Sequence, residues 1–94
     1  MKERNLQRKI LDCLRSMGGW WLNFHGGDVY MPRGIPDIIG CYEGRFFALE
    51  VKLPGEEPTS IQRHMLKTIS DAGAVTAVVR SVEEAEKIVK EECL

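Results

Sequence analysis

Apolar residues at Leu6, Ile10, Cys13, Leu14 and Met17 recur at spacings of three and four. This stripe predicts an amphipathic helix from about Arg4 to Met17, ended by Gly18-Gly19. The period then changes. Trp20 to His25 reads as a strand with aromatics on both faces, and the glycine- and proline-rich stretch from Gly26 to Gly34 reads as a loop. A second strand is expected from Asp37 to about Tyr42 and a third from about Arg45 to Leu53, with Glu43-Gly44 as the tight turn between them. After a loop from Leu53 to Pro58, Thr59 or Ser60 caps a helix that runs to about Asp71, with Ile61, Met65, Leu66 and Ile69 inward. Ala72-Gly73 ends it. Ala74 to Arg80 reads as a buried strand, and Ser81 caps a last helix with Val82, Ala85, Ile88 and Val89 inward.

The predicted order is α-β-β-β-α-β-α, an α/β chain. A right-handed crossover through the helix after Thr59 would lay the last strand parallel to the third, giving a mixed sheet of about four strands. The hairpin of the second and third strands then lies at its centre.

That hairpin carries charges where apolar residues are expected. Glu50 and Lys52 are two apart and so share one face of their strand, while Leu49, Val51 and Leu53 share the other. A carboxylate in so apolar a strand is costly unless paired, and Lys52 alone would pair only one of Asp37 and Glu50. A divalent metal would account for both. Two carboxylates and the Val51 main-chain carbonyl form the oxygen donor set that Mg²⁺ or Mn²⁺ prefers, waters filling the other positions. Lys52 beside it would hold or help deprotonate an attacking water, or neutralise charge on a phosphate.

Pro36-Asp37, twelve intervening residues and Glu50-Val51-Lys52 resemble the PD-(D/E)XK nuclease signature. Arg33 to Gly40, Ala48 to Lys52, Pro58-Thr59-Ser60-Ile61-Gln62 and Ala72-Gly73-Ala74 narrow the resemblance to small stand-alone virus-type replication-repair nuclease (VRR-NUC) domains, over nearly the whole chain. The resemblance implies a restriction-endonuclease-like α/β sandwich and a Mg²⁺- or Mn²⁺-dependent DNA endonuclease, structure-selective for branched or four-way-junction DNA in replication, recombination or repair. It also implies a homodimer, a replication or repair helicase as a partner, and a phage or bacterial setting. Glu3 takes the place of an acid that related domains carry on their first helix near the metal; otherwise it complements the positive helix end. Gln62 takes the place of the family's glutamine, orienting water or a metal ligand; otherwise it is a helix former facing solvent. Gly34, by the same resemblance, permits a close turn before Pro36.

The loop offers the candidate DNA contacts. Arg33 matches a phosphate with two parallel hydrogen bonds, and Tyr30, three residues before it, is the other candidate of this loop. His25, at the end of the first strand, is a weaker candidate, since a lone strand-end histidine is more often a surface residue.

Composition adds limits. A chain of 94 residues with 44% hydrophobic and 29% charged residues suits one modest core, hence one domain, with neither disorder nor a coiled coil. No apolar run is long enough for a membrane span or signal peptide, so a cytoplasmic setting is expected. The net charge of −1 does not announce a nucleic-acid binder. Residues 1–35, however, hold six Lys/Arg against three acids, and the remainder seven against eleven. Three cysteines, Cys13, Cys41 and Cys93, lack the spacing of a zinc site and read as buried or terminal free thiols. A non-cleaving DNA-binding module on the nuclease fold, or an assembly unit, is the alternative; neither gives the strand acids a purpose.

Overall fold

The computed structural model describes residues 2–24 and 32–93. Among these residues the elements are α1 (Glu3–Met17), β1 (Trp20–Asn23), β2 (Ile38–Tyr42), β3 (Arg45–Val51), α2 (Ser60–Asp71), β4 (Val75–Val79) and α3 (Val82–Glu92). The order is the one the periodicities predict. The sheet runs β1-β2-β3-β4. Its first two pairings are antiparallel and the β3/β4 pairing is parallel, so α2 is the crossover and the β2/β3 hairpin is central.

Strands end where their backbone groups find other partners. β1 stops at Asn23, two residues short of the expected end; the Phe24 N–H still reaches the Asp37 carbonyl at 2.7 Å, and His25 lies outside the described residues. β3 stops at Val51 and not at Leu53. The Lys52 N–H bonds the Val79 carbonyl at 3.0 Å, but the Leu53 N–H turns away to Glu56 Oε1 at 3.0 Å.

Alternation splits the sheet into two unlike faces. Phe47, Leu49 and Val51 of β3 point to the side covered by α1 and α3, where Ile10, Leu14 and Val89 meet them in the main core. Trp21 is 2% exposed in that core, and its indole N–H donates to the Gly18 carbonyl at 2.9 Å, which satisfies its one polar atom. Trp20, the neighbouring residue, points the other way and is 54% exposed. Glu50 lies on the second face, crossed by α2. Of α2 only Leu66 is buried, and Ile61, expected inward, is 42% exposed. The cysteine expectation fails at Cys41, which alternation places on this open face, exposed; Cys13 and Cys93 are half-buried.

Gly34 and Gly40 hold close approaches. Gly34 has φ +82°, and a Cβ there would fall 2.9 Å from the Ile61 carbonyl oxygen, so the loop before Pro36 packs directly on the first turn of α2. Gly40 pairs with Trp21 across β1/β2, and a Cβ there would meet the Trp20 carbonyl and the Trp21 ring. Neither obstacle can swing aside. Gly40→Ala is expected to cost about 1–3 kcal/mol or more through overpacking. In a thermal melt this lowers Tm by about 4–8 °C for each kcal/mol in a domain of this size. A Gly40→Ala protein melting with the wild type would show that the β1/β2 contact is not close-packed.

Candidate active site

Asp37 immediately precedes β2, where the ladder to β3 has not yet begun. Backbone groups alternate along a strand, and Lys52 turns its N–H to β4, so Val51 turns its N–H and carbonyl toward the β2 side. The Asp37 carboxylate fills the gap. Its Oδ2 accepts from the Val51 N–H at 2.8 Å, acting as a one-residue extension of the ladder. The Val51 carbonyl therefore lies on the edge of β3 that Asp37 occupies.

Glu50 is 1% exposed, the one buried charged residue among the described residues. Its Oε1 accepts from Gln62 Nε2 at 3.1 Å, and its Oε2 is buried with no donor. Gln62 has no freedom to turn its amide the other way. Thr59 and Gln62 form a capping box: Thr59 Oγ1 accepts from the Gln62 N–H at 3.2 Å, and Gln62 Oε1 accepts from the Thr59 N–H at 2.8 Å. With the oxygen committed to the cap, the amide nitrogen faces Glu50. The solvent-facing alternative for Gln62 is thereby set aside.

The electrostatics follow from crowding acids around one cation. Burial raises the Asp37 carboxyl above its ordinary range, against the lowering effects of the Val51 N–H, a hydrogen bond with Glu50 and the Lys52 charge. Glu50 is pushed up to about 8, first by burial, then by the charge of Asp37 and a hydrogen bond with it, with Lys52 offsetting only part. Burial and mutual charge thus favour the protonated form at both carboxyls. Glu3, at the start of α1, is raised mainly by burial and feels the charges of Lys52, Asp37 and Glu56. It joins the site at electrostatic range, while its own hydrogen bond is from Gln7 Nε2 at 3.5 Å. Among the described residues no three His, Cys, Asp or Glu side chains converge tightly enough to hold a metal by themselves.

This donor set fits Mg²⁺ or Mn²⁺. Such ions are held by one or two carboxylates with several waters retained, and the orphaned Glu50 Oε2 beside a second acceptor is what a cation would satisfy. The buried Glu50 and half-buried Asp37 carboxylates, a main-chain carbonyl and the half-buried Lys52 can together orient a phosphate and a water.

Of the expected DNA contacts, Arg33 is exposed in the turn before Pro36, and Gly34 anchors that turn on α2. Tyr30 and His25 lie outside the described residues. Sequence reasoning passed over Asn23, whose Oδ1 is buried without a donor at the β1 end nearest Asp37. Only its alternation with Trp21 could have flagged it.

No protein-family model matches the chain. No curated protein matches it. Solved structures do. A VRR_NUC domain superposes with a TM-score of 0.71 at 23% identity, covering 94% of each chain. The fold is that of the VRR_NUC domain. The Archaeoglobus fulgidus Hjc, a Holliday junction resolvase, superposes at TM-score 0.66 and 24% identity, covering 83% of this chain and 67% of its own.

The raised Glu50 carboxyl gives a pH prediction. A carboxyl that binds its proton more tightly folded than unfolded stabilises the fold below its ordinary 4.5 and loses that contribution as pH rises through about 8. Metal-free wild type is therefore expected to lose stability against Glu50→Gln between pH 5 and pH 9. The gap in Tm should widen by more than about 4–8 °C, the equivalent of 1 kcal/mol. Parallel melting curves across that range would place the proton elsewhere.

Proposed function

We propose that this chain is a divalent-metal-dependent DNA endonuclease that hydrolyses phosphodiester bonds and selects branched DNA, such as a four-way junction. The observation that carries this reading is the buried Glu50, with one oxygen orphaned beside Asp37 and with Lys52 on its own strand face. Asp37, Glu50 and the Val51 carbonyl would hold Mg²⁺ or Mn²⁺. A bound ion of this kind polarises a phosphoryl oxygen and lowers the pKa of a coordinated water.

The chain's own residues do the rest. Lys52 positions the attacking water or neutralises charge at the phosphate. Gln62, fixed by the Thr59 cap, keeps the Glu50 carboxylate turned into the site. Glu3 adds negative charge that favours the cation. Arg33, with Tyr30 and His25, takes phosphates on the approach. The choice of branched DNA is supported by a fold shared with a protein described as a Holliday junction resolvase. A junction needs two symmetric cuts, which a homodimer would supply; a replication or repair helicase would direct it. A non-cleaving DNA-binding module is the second reading, and the retained Asp37, Glu50 and Lys52 set speaks against it.

Cleavage of linear duplex, single strand, flap and four-way junction, with Mg²⁺, with Mn²⁺ and with chelator, tests the reading. The junction should be cut fastest, chelator should stop the reaction, and Lys52→Ala should lower the rate by about 10²–10⁴-fold. Asp37→Ala cutting at the wild-type rate would overturn the assignment. A melt separates enzyme from module: saturating Mg²⁺ should raise the wild-type Tm, by the equivalent of about 2.7 kcal/mol at 100 times Kd, and leave Asp37→Ala unmoved.

A further inference from the structure

Between α1 and β1, an edge strand among the described residues, lies a cleft of about 430 Å³ lined by Arg4, Asn5, Arg8, Arg15, Leu22 and Asn23, with Leu11 at its base. Positions 4, 8, 11 and 15 form a single stripe along one side of a helix. Here the stripe is three exposed arginines around one buried leucine. Among the described residues neither Arg4 nor Arg8 enters an ion pair. Arg15 is held to the strand, its Nη2 donating to the Trp21 carbonyl at 3.1 Å. That bond shows which way the edge faces: Phe24 turns its N–H to β2, so Trp21 and Asn23 turn their main-chain groups outward into the cleft.

We propose that this α1–β1 cleft is a track for the DNA sugar–phosphate backbone leading to the candidate active site; the inference rests on the nuclease reading above. The spacing decides against a single small anion. At a rise of about 1.5 Å per residue, Arg4 and Arg15 stand about 16 Å apart along the helix, too far to share one phosphate. Successive phosphates of one strand, about 3.4 Å apart along a duplex, match a row of this length. The cleft also leads to the right place. Its Asn23 end pairs with Ile38, next to Asp37, and Arg4 adjoins Glu3 at the start of α1. Asn23 lines that end of the cleft.

The test is DNA binding by fluorescence anisotropy across a salt series, with Ca²⁺ in place of Mg²⁺, for wild type, Arg4→Ala, Arg8→Ala and a control, Lys87→Ala/Lys90→Ala, on the remote α3. Arg4 and Arg8 are exposed, so their removal leaves the fold in place, which circular dichroism checks. Each arginine variant should reduce the slope of log K against log salt by about 0.9 and weaken binding about eightfold at 0.1 M salt. The control should keep the wild-type slope despite losing two charges. Wild-type binding and slope in both arginine variants, with junction cleavage intact, would overturn this inference and leave the nuclease reading standing. A wild type that neither binds nor cuts any DNA would overturn both.

Discussion

Glu50 sits in the middle of the sheet at 1% exposure, and its carboxylate has one hydrogen-bond donor for two oxygens. Much of the surrounding architecture can be read as a response to that one group. An ionised carboxylate stripped of water costs several kcal/mol, so without a cation the protonated form is favoured at Asp37 and Glu50. Asp37 is held at the same spot by a different need, the Val51 N–H that the ladder leaves over. A backbone requirement thus fixes one acid, and burial together with that acid's charge raises the other. The strain is electrostatic, and a bound cation would relieve it.

The segment after β3 keeps this arrangement in register. Lys52 and Gln62 are ten residues apart and must both present to Glu50, so the loop between them cannot wander. Leu53 N–H is capped by Glu56, Arg80 Nη2 donates to the Glu56 carbonyl at 2.7 Å, and Glu57 bridges Arg80 and Arg63, each at 3.3 Å. Exposed ion pairs contribute about 0–1 kcal/mol each, so their effect on overall stability is small. Their geometry still ties the loop to both β4 and α2. The Thr59 capping box, worth about 1 kcal/mol to the helix, also locks the orientation of the Gln62 amide.

Legibility in the sequence followed the strength of the local rule. The Leu6–Leu14 stripe, the Glu43-Gly44 turn and the alternation through Phe47, Leu49 and Val51 are short-range signals, and the elements they predict are present. Element ends were less legible because they depend on partners far along the chain: Leu53 leaves β3 for Glu56 and Lys52 for Val79. Ile61 misled because helical period cannot say how wide the covering surface is; α2 lies over a sheet face whose centre is polar, and its first turn meets Gly34. Within the site, Asp37, Glu50 and Lys52 stood out as charges against an apolar background, whereas Gln62 was marked only by the family resemblance; its capping box with Thr59 emerges in the structure. Asn23 was not marked at all. Its polarity matters only because β1 is an edge strand beside α1, a fact of topology that no window of residues contains.

Charge distribution ties the two halves together. With a net charge of −1, the chain exerts little long-range pull on a polyanion, and beyond about 10 Å at 0.1 M salt any such pull is screened. What counts is the local arrangement. α1 carries Glu3 at its first residue, turned toward Lys52 and Asp37, and then Arg4, Arg8 and Arg15 on the side facing β1. One helix therefore presents a cation-seeking end and an anion-seeking flank about one residue apart. A DNA strand lying along the flank would meet repulsion at the acid cluster until a metal neutralised it. By linkage, a cation bound at the acids and a strand on the flank would each favour the other's binding.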